Sequence, residues 1–247
     1  MAIILLLFSS FTAIASVNES LFEKANQSYK TGRFQEAFTI YKKINAGGEE
    51  SSALYFNMGN ACYRMQQYPL AILYYEKAAK LNPLDEEIQF NLKIANQKIV
   101  DRIEVMPKTF YQRWMNSIIN LFSSFSWAVI VIILFVITLF MFAVYLFSQR
   151  IRIKKTAFWL SAGLVLIFSF SFIFAHKQYN RMNHHHEAIL FVASVNVKSS
   201  PDDKGTDIFV LHAGTKVEII DQLGEWREVR IANGAVGWMK AKELEQI

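Results

Sequence analysis

An amide and a base recur together in this 247-residue chain. Asn26 lies one helical turn before Lys30, and 34 residues further on Asn60 lies one turn before Arg64. Phe22 and Tyr29 accompany the first pair, Phe56 and Tyr63 the second. Side chains four apart on a helix share a face. A carboxamide and a cation so placed can donate hydrogen bonds to a carboxylate or to an extended peptide. The competing reading is that Asn26 and Asn60 satisfy backbone groups between repeats. Phe22, Asn26, Tyr29, Lys30, Phe56, Asn60, Tyr63 and Arg64 are thus the candidate peptide-binding groove. Trp226 and Trp238, near the other end, are candidates either for a ligand cleft or for a small core.

No catalytic set accompanies them. The sequence has no GxxxxGK(S/T), no HExxH, no GxSxG and no Gly-rich dinucleotide loop. His184-His185-His186 is the one run with metal potential, and three consecutive residues on a helix point to different sides. No metal, no cofactor and no enzymatic activity are expected. Cys62, the single cysteine, cannot form an internal disulfide and reads as a packed residue on the inner side of a helix.

The spacing of the two candidate pairs is part of a wider repeat. At an offset of 34, Phe22 matches Phe56, Tyr29 matches Tyr63, Ala37 matches Ala71, Tyr41 matches Tyr75 and Lys43 matches Lys77. Small Gly59 and Ala71 suit two helices crossing closely, Tyr68, Ile72 and Tyr75 fill the space between them, and Pro83 ends the second helix. Tyr55, Met58-Gly59, Tyr68, Ala71, Tyr75, Ala78 and Pro83 resemble the tetratricopeptide pattern. That resemblance implies stacked helix pairs whose first helices line a concave groove. Two repeats need a cap, and residues 86–104 supply one, with Ile88, Leu92, Ala95 and Ile99 at helical spacing.

Charge and hydropathy place the rest. Residues 106–186 hold 8 Lys and Arg and no Asp or Glu, although they are the most apolar third of the chain. Bases flanking apolar runs fit membrane insertion rather than nucleic-acid binding, which would spread them over a folded face. Residues 127–147 and 157–175 are charge-free and near the roughly 20 residues a spanning helix needs. Between them Arg150, Arg152, Lys154 and Lys155 mark a cytoplasmic loop, 148–156. Residues 106–126, with Phe110, Tyr111, Trp114, Ile118 and Phe122 on one side, read as an amphipathic helix that lies in the membrane interface and runs into the first span, or else as a partner-binding helix. The apolar run from Ile3, ending in Ala13-Ile14-Ala15, reads as a signal peptide over 1–15. Both flanking domains then face outward, which in a cell with an outer membrane is the periplasm.

Beyond a linker at 176–186, residues 187–247 alternate in short Val- and Ile-rich runs such as 188–197, 208–211 and 235–239. Ala213-Gly214, Leu223-Gly224 and Asn233-Gly234 are turn signals, the last predicting a type I′ hairpin. Five strands in a small all-β barrel are expected. Val195 to Pro201, Gly214, Gly224-Glu225-Trp226 and Gly237-Trp238-Met239 resemble the bacterial SH3 family, with Lys198 in place of its usual Arg. That resemblance implies an SH3-like barrel with affinity for peptidoglycan peptides.

The expected fold class is a multidomain membrane protein: all-α tetratricopeptide repeats over 16–105, two transmembrane helices, and a bacterial SH3-like barrel. This order, with Leu54-Tyr55-Phe56-Asn57-Met58-Gly59-Asn60-Ala61, is similar to the tetratricopeptide member of the Bacteroides aerotolerance (Bat) family. The resemblance implies a bacterial inner-membrane adaptor whose partners are other membrane or periplasmic proteins. These include Bat-family proteins with von Willebrand-type domains, in a role tied to oxidative-stress tolerance.

Overall fold

The computed structural model describes residues 18–103, 109–183 and 187–247. The expected signal peptide and the His184–His186 run lie outside the described residues. The chain divides into two compact units, one joining 18–103 with 187–247 and the other formed by 109–183.

The first unit begins with five helices: α1 (18–30), α2 (Phe34–Ala46), α3 (Ser52–Arg64), α4 (Tyr68–Leu81) and α5 (Glu86–Asn96). Their turns repeat as faithfully as their faces. Between α1 and α2, Gly32 takes φ +79° and the Arg33 N–H bonds the Ser28 carbonyl at 2.9 Å. Between α3 and α4, Gln66 takes φ +61° and the Gln67 N–H bonds the Cys62 carbonyl at 2.9 Å. Each left-handed residue ends one helix and reverses the chain for the next. Ser51 caps α3 by accepting from the Leu54 N–H, and Asp85 caps α5 by accepting from Glu87 and Ile88.

Close crossing is set by missing side chains. A Cβ on Gly59 would lie 2.6 Å from the Tyr75 ring, so α3 and α4 approach only because residue 59 has none. Ala25, Ala37, Tyr41, Leu54, Met58 and Ala78 form one buried cluster, and Cys62, Ala71, Ile72, Tyr75, Leu92 and Ala95 a second.

The second cluster also contains Ile189 and Ile247 from the other end of the chain. They belong to a seven-stranded antiparallel sheet: β1 (Glu187–Leu190), β2 (Ser194–Lys198), β3 (Asp207–His212), β4 (Lys216–Leu223), β5 (Trp226–Arg230), β6 (Val236–Lys240) and β7 (Leu244–Gln246). Its order is β3-β2-β6-β5-β4-β1-β7, so β3 and β7 are edges and the hydrogen-bonded ladder does not close. Ala188, Leu190, Val197, Leu211, Val217, Val229 and Met239 are its own core. Seven strands replace the five expected. The run 188–197 breaks into β1 and β2 where the Leu190 and Phe191 N–H groups bond the Thr215 and Glu243 carbonyls, and 244–246 adds β7. The Asn233-Gly234 turn also differs: only Gly234 has positive φ, and Asn233 Oδ1 accepts from the Ala235 N–H instead of entering the left-handed region a type I′ turn requires.

The second unit holds α6 (Phe110–Asn120), α7 (Ser124–Phe147) and α8 (Ile151–Asn183). At 1.5 Å per residue, the 24 residues of α7 reach about 36 Å, beyond the roughly 30 Å of bilayer hydrocarbon. Both α7 and α8 are long and apolar enough to cross a membrane. They pack through ring pairs such as Phe135–Phe168 and Tyr145–Phe158. The amphipathic helix does not run straight into the span. The Ser123 hydroxyl accepts from the Ser126 N–H and starts α7 afresh, while Trp127 Nε1 donates to the Ile119 carbonyl at 2.9 Å and ties the two helices. Helix α8 begins within the basic segment, so Arg152, Lys154 and Lys155 ride on its first turns. It continues through Asn183, since residues 176–183 contain neither Pro nor Gly to end it.

Candidate functional site

The repeats are tied together by two copies of one hydrogen-bonded relay. Asn26 Oδ1 accepts from the Tyr41 hydroxyl at 2.5 Å and from Asn57 Nδ2 at 3.1 Å. Asn60 Oδ1 accepts from the Tyr75 hydroxyl at 2.7 Å and from Asn91 Nδ2 at 3.0 Å. Each relay joins the two helices of one repeat to the first helix of the next. The amide oxygens serve side chains of neighbouring helices, which is neither the free ligand-facing amide nor the backbone satisfaction that the sequence left as alternatives. With both lone pairs of each Oδ1 engaged, what Asn60 has left for a ligand is its Nδ2 donor pair.

A cavity of about 220 Å³ opens beside the second relay, lined by Tyr29, Asn60, Tyr63, Arg64, Tyr75, Asn91 and Ile94. Of the eight expected groove residues it gathers Tyr29, Asn60, Tyr63 and Arg64. The others lie elsewhere: Phe22 packs on Tyr41 with centroids 5.7 Å apart, Phe56 on Tyr75 at 5.9 Å, Asn26 sits in the first relay, and Lys30 is exposed. The Arg64 guanidinium lies 4.6 Å over the Phe34 ring, and Tyr29 meets that ring edge-on at 5.2 Å. Among the described residues Arg64 is thus held by an aromatic face that leaves its donors unspent. Asn57, Asn91, Ile94 and Phe34 were not among the expected residues. The offset of 34 carries on to Phe90, Asn91 and Ala95, and extending it would have marked α5 as the first helix of a third repeat.

Cys62 is fully buried, and burial pushes its thiol up to about 12. A thiol held so far above neutrality is not a nucleophile in the folded unit.

The sheet and the repeats meet at a polar junction. Asp101 Oδ2 accepts from the His212 N–H at 2.7 Å and from the Thr215 hydroxyl at 2.6 Å, while Oδ1 lies 2.7 Å from His212 Nδ1. Lys216 Nζ donates to Glu76 at 2.8 Å and pairs with Glu187 at 2.9 Å, and Lys80 Nζ donates to the Ile247 carbonyl at 3.0 Å. Burial by itself would push the Asp101 carboxyl up, but the bonds from Thr215 and His212 outweigh it and hold the group below the usual carboxylate range. A carboxyl depressed on folding adds stability that is complete above its unfolded value and is lost as the pH falls through the folded one. The junction should therefore weaken only below about pH 4. Asp101→Asn should remove that acid dependence, as the difference between the two proteins' melting curves on acidification will show.

Trp226 and Trp238 share one face of the sheet, since Trp226 pairs with Lys240 and Trp238 with Glu228. Trp226 is 8% exposed and Lys240 Nζ sits 5.2 Å over its ring, with Asp203 holding that ammonium at 2.8 Å. Trp238 is half-buried and directly opposite Lys198, which is paired with Asp207 at 3.0 Å.

Residues 52–84 match the family model of the tetratricopeptide repeat, and residues 193–245 match that of the bacterial SH3 domain. No curated protein matches the chain. Both matches are to interaction modules, and neither is to an enzyme family. The chain thus carries a tetratricopeptide repeat and a bacterial SH3 domain, with two helices among the described residues apolar and long enough to cross a membrane.

Proposed function

We propose that this protein is an adaptor anchored in a bacterial inner membrane by the α7–α8 hairpin, with its repeats and its SH3-like module on the periplasmic side. Its groove takes an extended, acidic segment of a partner protein. The observation that carries this reading is the cavity itself, where the Asn60 amide and the Arg64 guanidinium converge between tyrosines. Donors without a facing carboxylate call for an acceptor from outside. The shared core of repeats and sheet supports a common side for both, because Ile189 cannot pack with Leu92 across a bilayer. A tetratricopeptide protein of the Bat type, working with von Willebrand-type partners in aerotolerance, is the most specific form of this reading, supported by the order of segments.

The structure redirects its test. Asn26 and Asn60 hold the repeats together, so their alanine variants disturb the fold. Arg64→Ala with Lys30→Ala removes charge from exposed positions and should lower partner recovery by roughly tenfold, the loss of one charge-assisted contact. Crosslinking in intact membranes measures that recovery. Undiminished recovery with an unchanged melting temperature rejects the groove.

A second reading, recognition of cell-wall peptides, is favoured by the bacterial SH3 match and the half-buried Trp238 beside paired lysines. The full chain should then sediment with purified peptidoglycan and Trp238→Ala should not. Equal sedimentation of both proteins removes Trp238 from the site.

A further inference from the structure

We propose that the SH3-like module positions the repeat groove: it clamps the segment that follows α5, and α5 carries Asn91 and Ile94 into the cavity. The proposal rests on the groove being the binding site.

Helix α5 is a first helix without a second. Phe22 of α1 packs on Tyr41 of α2, and Phe56 of α3 packs on Tyr75 of α4. Phe90 holds the same repeat position in α5 and is 63% exposed. The last element of a repeat stack has one neighbour, so it opens at lower free energy than the interior. Here the sheet supplies the missing neighbour. Leu92 and Ala95 share a buried cluster with Ile189 of β1. Beyond α5, Ile99 presses on the β3–β4 turn, where a Cβ on Gly214 would lie 2.4 Å from Ile99 Cγ2. Two residues on, Asp101 takes its bonds from His212 and Thr215 in that turn, and Ile103 packs against the sheet's own core.

None of these clamping residues lines the cavity. Their effect on it passes through α5, whose Asn91 completes the second relay. Docking of the module and affinity of the groove are therefore linked free energies. A partner that pulls on the module changes what the groove holds, and an occupied groove tightens the junction.

Hydrogen exchange on the full chain in detergent micelles tests this without any ligand, so the result stands apart from the adaptor reading. The double variant Asp101→Ala/Gly214→Val removes the carboxylate and drives a side chain into Ile99. It should raise exchange of residues 86–96 by roughly tenfold while leaving α1 and α2 protected. Asp101→Asn keeps one acceptor oxygen and should recover part of that protection. Unchanged exchange in 86–96 overturns the proposal. So does an equal rise across all five helices, which would make the module a general stabiliser, and so does Asp101→Asn behaving no better than the double variant.

Discussion

Tyr75→Ala should destabilise the repeat unit by about 3–5 kcal/mol, the range for deleting a buried aromatic side chain. Tyr75 is 1% exposed and is wedged between α3 and α4. Its ring faces Gly59 and packs tilted on Phe56, and its hydroxyl donates to Asn60. The space left behind is bordered by Gly59 and Ala71, residues too small to collapse into it, so the void persists. The loss also leaves Asn60 Oδ1 with Asn91 as its one donor. Against a total of about 5–15 kcal/mol for a domain, this brings the unit near its unfolding threshold. Tyr75→Phe keeps the ring and removes one bond, at a cost of about 1–3 kcal/mol. Cys62 is a built-in probe for both, because it is the single cysteine and is fully buried beside Tyr75 in the same cluster. Thiol-reagent labelling across a denaturant series should show Cys62 opening earliest in Tyr75→Ala, later in Tyr75→Phe and last in the parent. A Tyr75→Ala midpoint no lower than that of Tyr75→Phe would show that the ring is not what holds the helices.

That contact was legible in the sequence. The pairing of a residue without a side chain at 59 with an aromatic at 75 follows from the offset of 34 and from the need of crossing helices for one small partner. The apolar runs of α7 and α8 were equally plain, because a helix apolar all round has few environments open to it. The groove was half legible. Position along a repeat predicts which face a residue occupies, but not whether its amide oxygen is already taken by a tyrosine hydroxyl. Asn26 and Asn60 could be placed on the inner face and not assigned between ligand and neighbour.

The junction between repeats and sheet was not legible, although its trace was present. Ala188, Ile189 and Leu190 are consecutive and all fully buried. A strand with one solvated face alternates, whereas a strand covered on both faces reads as a continuous apolar run. Ala188 and Leu190 serve the sheet's core while Ile189 serves the repeats. The run said that something lay on the second face. Nothing in it said that this was α4 and α5, because the paired residues lie 111 and 140 positions apart, as in Asp101–His212 and Glu76–Lys216. Periodicity reports on an element's own faces, and partner choice at such separations depends on the folded surfaces of both. The junction also explains why Gly214 is more than a turn residue: its φ of +94° favours glycine, and Ile99 leaves no room for a side chain there.

Single-cysteine labelling should give an all-or-none result for the membrane arrangement. In a Cys62→Ala background, Glu23→Cys on α1 and Asp221→Cys on β4 are exposed positions in the two halves of the first unit, and Gln149→Cys lies at the tip of the hairpin. A membrane-impermeant maleimide added to spheroplasts should label the first two, and should label Gln149→Cys only after lysis. The expectation combines two independent arguments. Repeats and sheet share one core, so an even number of crossings must separate them. Arg150, Arg152, Lys154 and Lys155 crowd the connection between the crossings, and each base costs about 2.5–3.5 kcal/mol at the bilayer centre, so that end stays where it is made. The outcomes separate the arguments. Glu23→Cys and Asp221→Cys labelled from opposite sides would refute the shared core. The two labelled together but only after lysis, with Gln149→Cys labelled from outside, would keep the core and reverse the orientation. All three labelled from one side would show that the hairpin does not cross at all, and the adaptor would then have to find its partners without a membrane anchor.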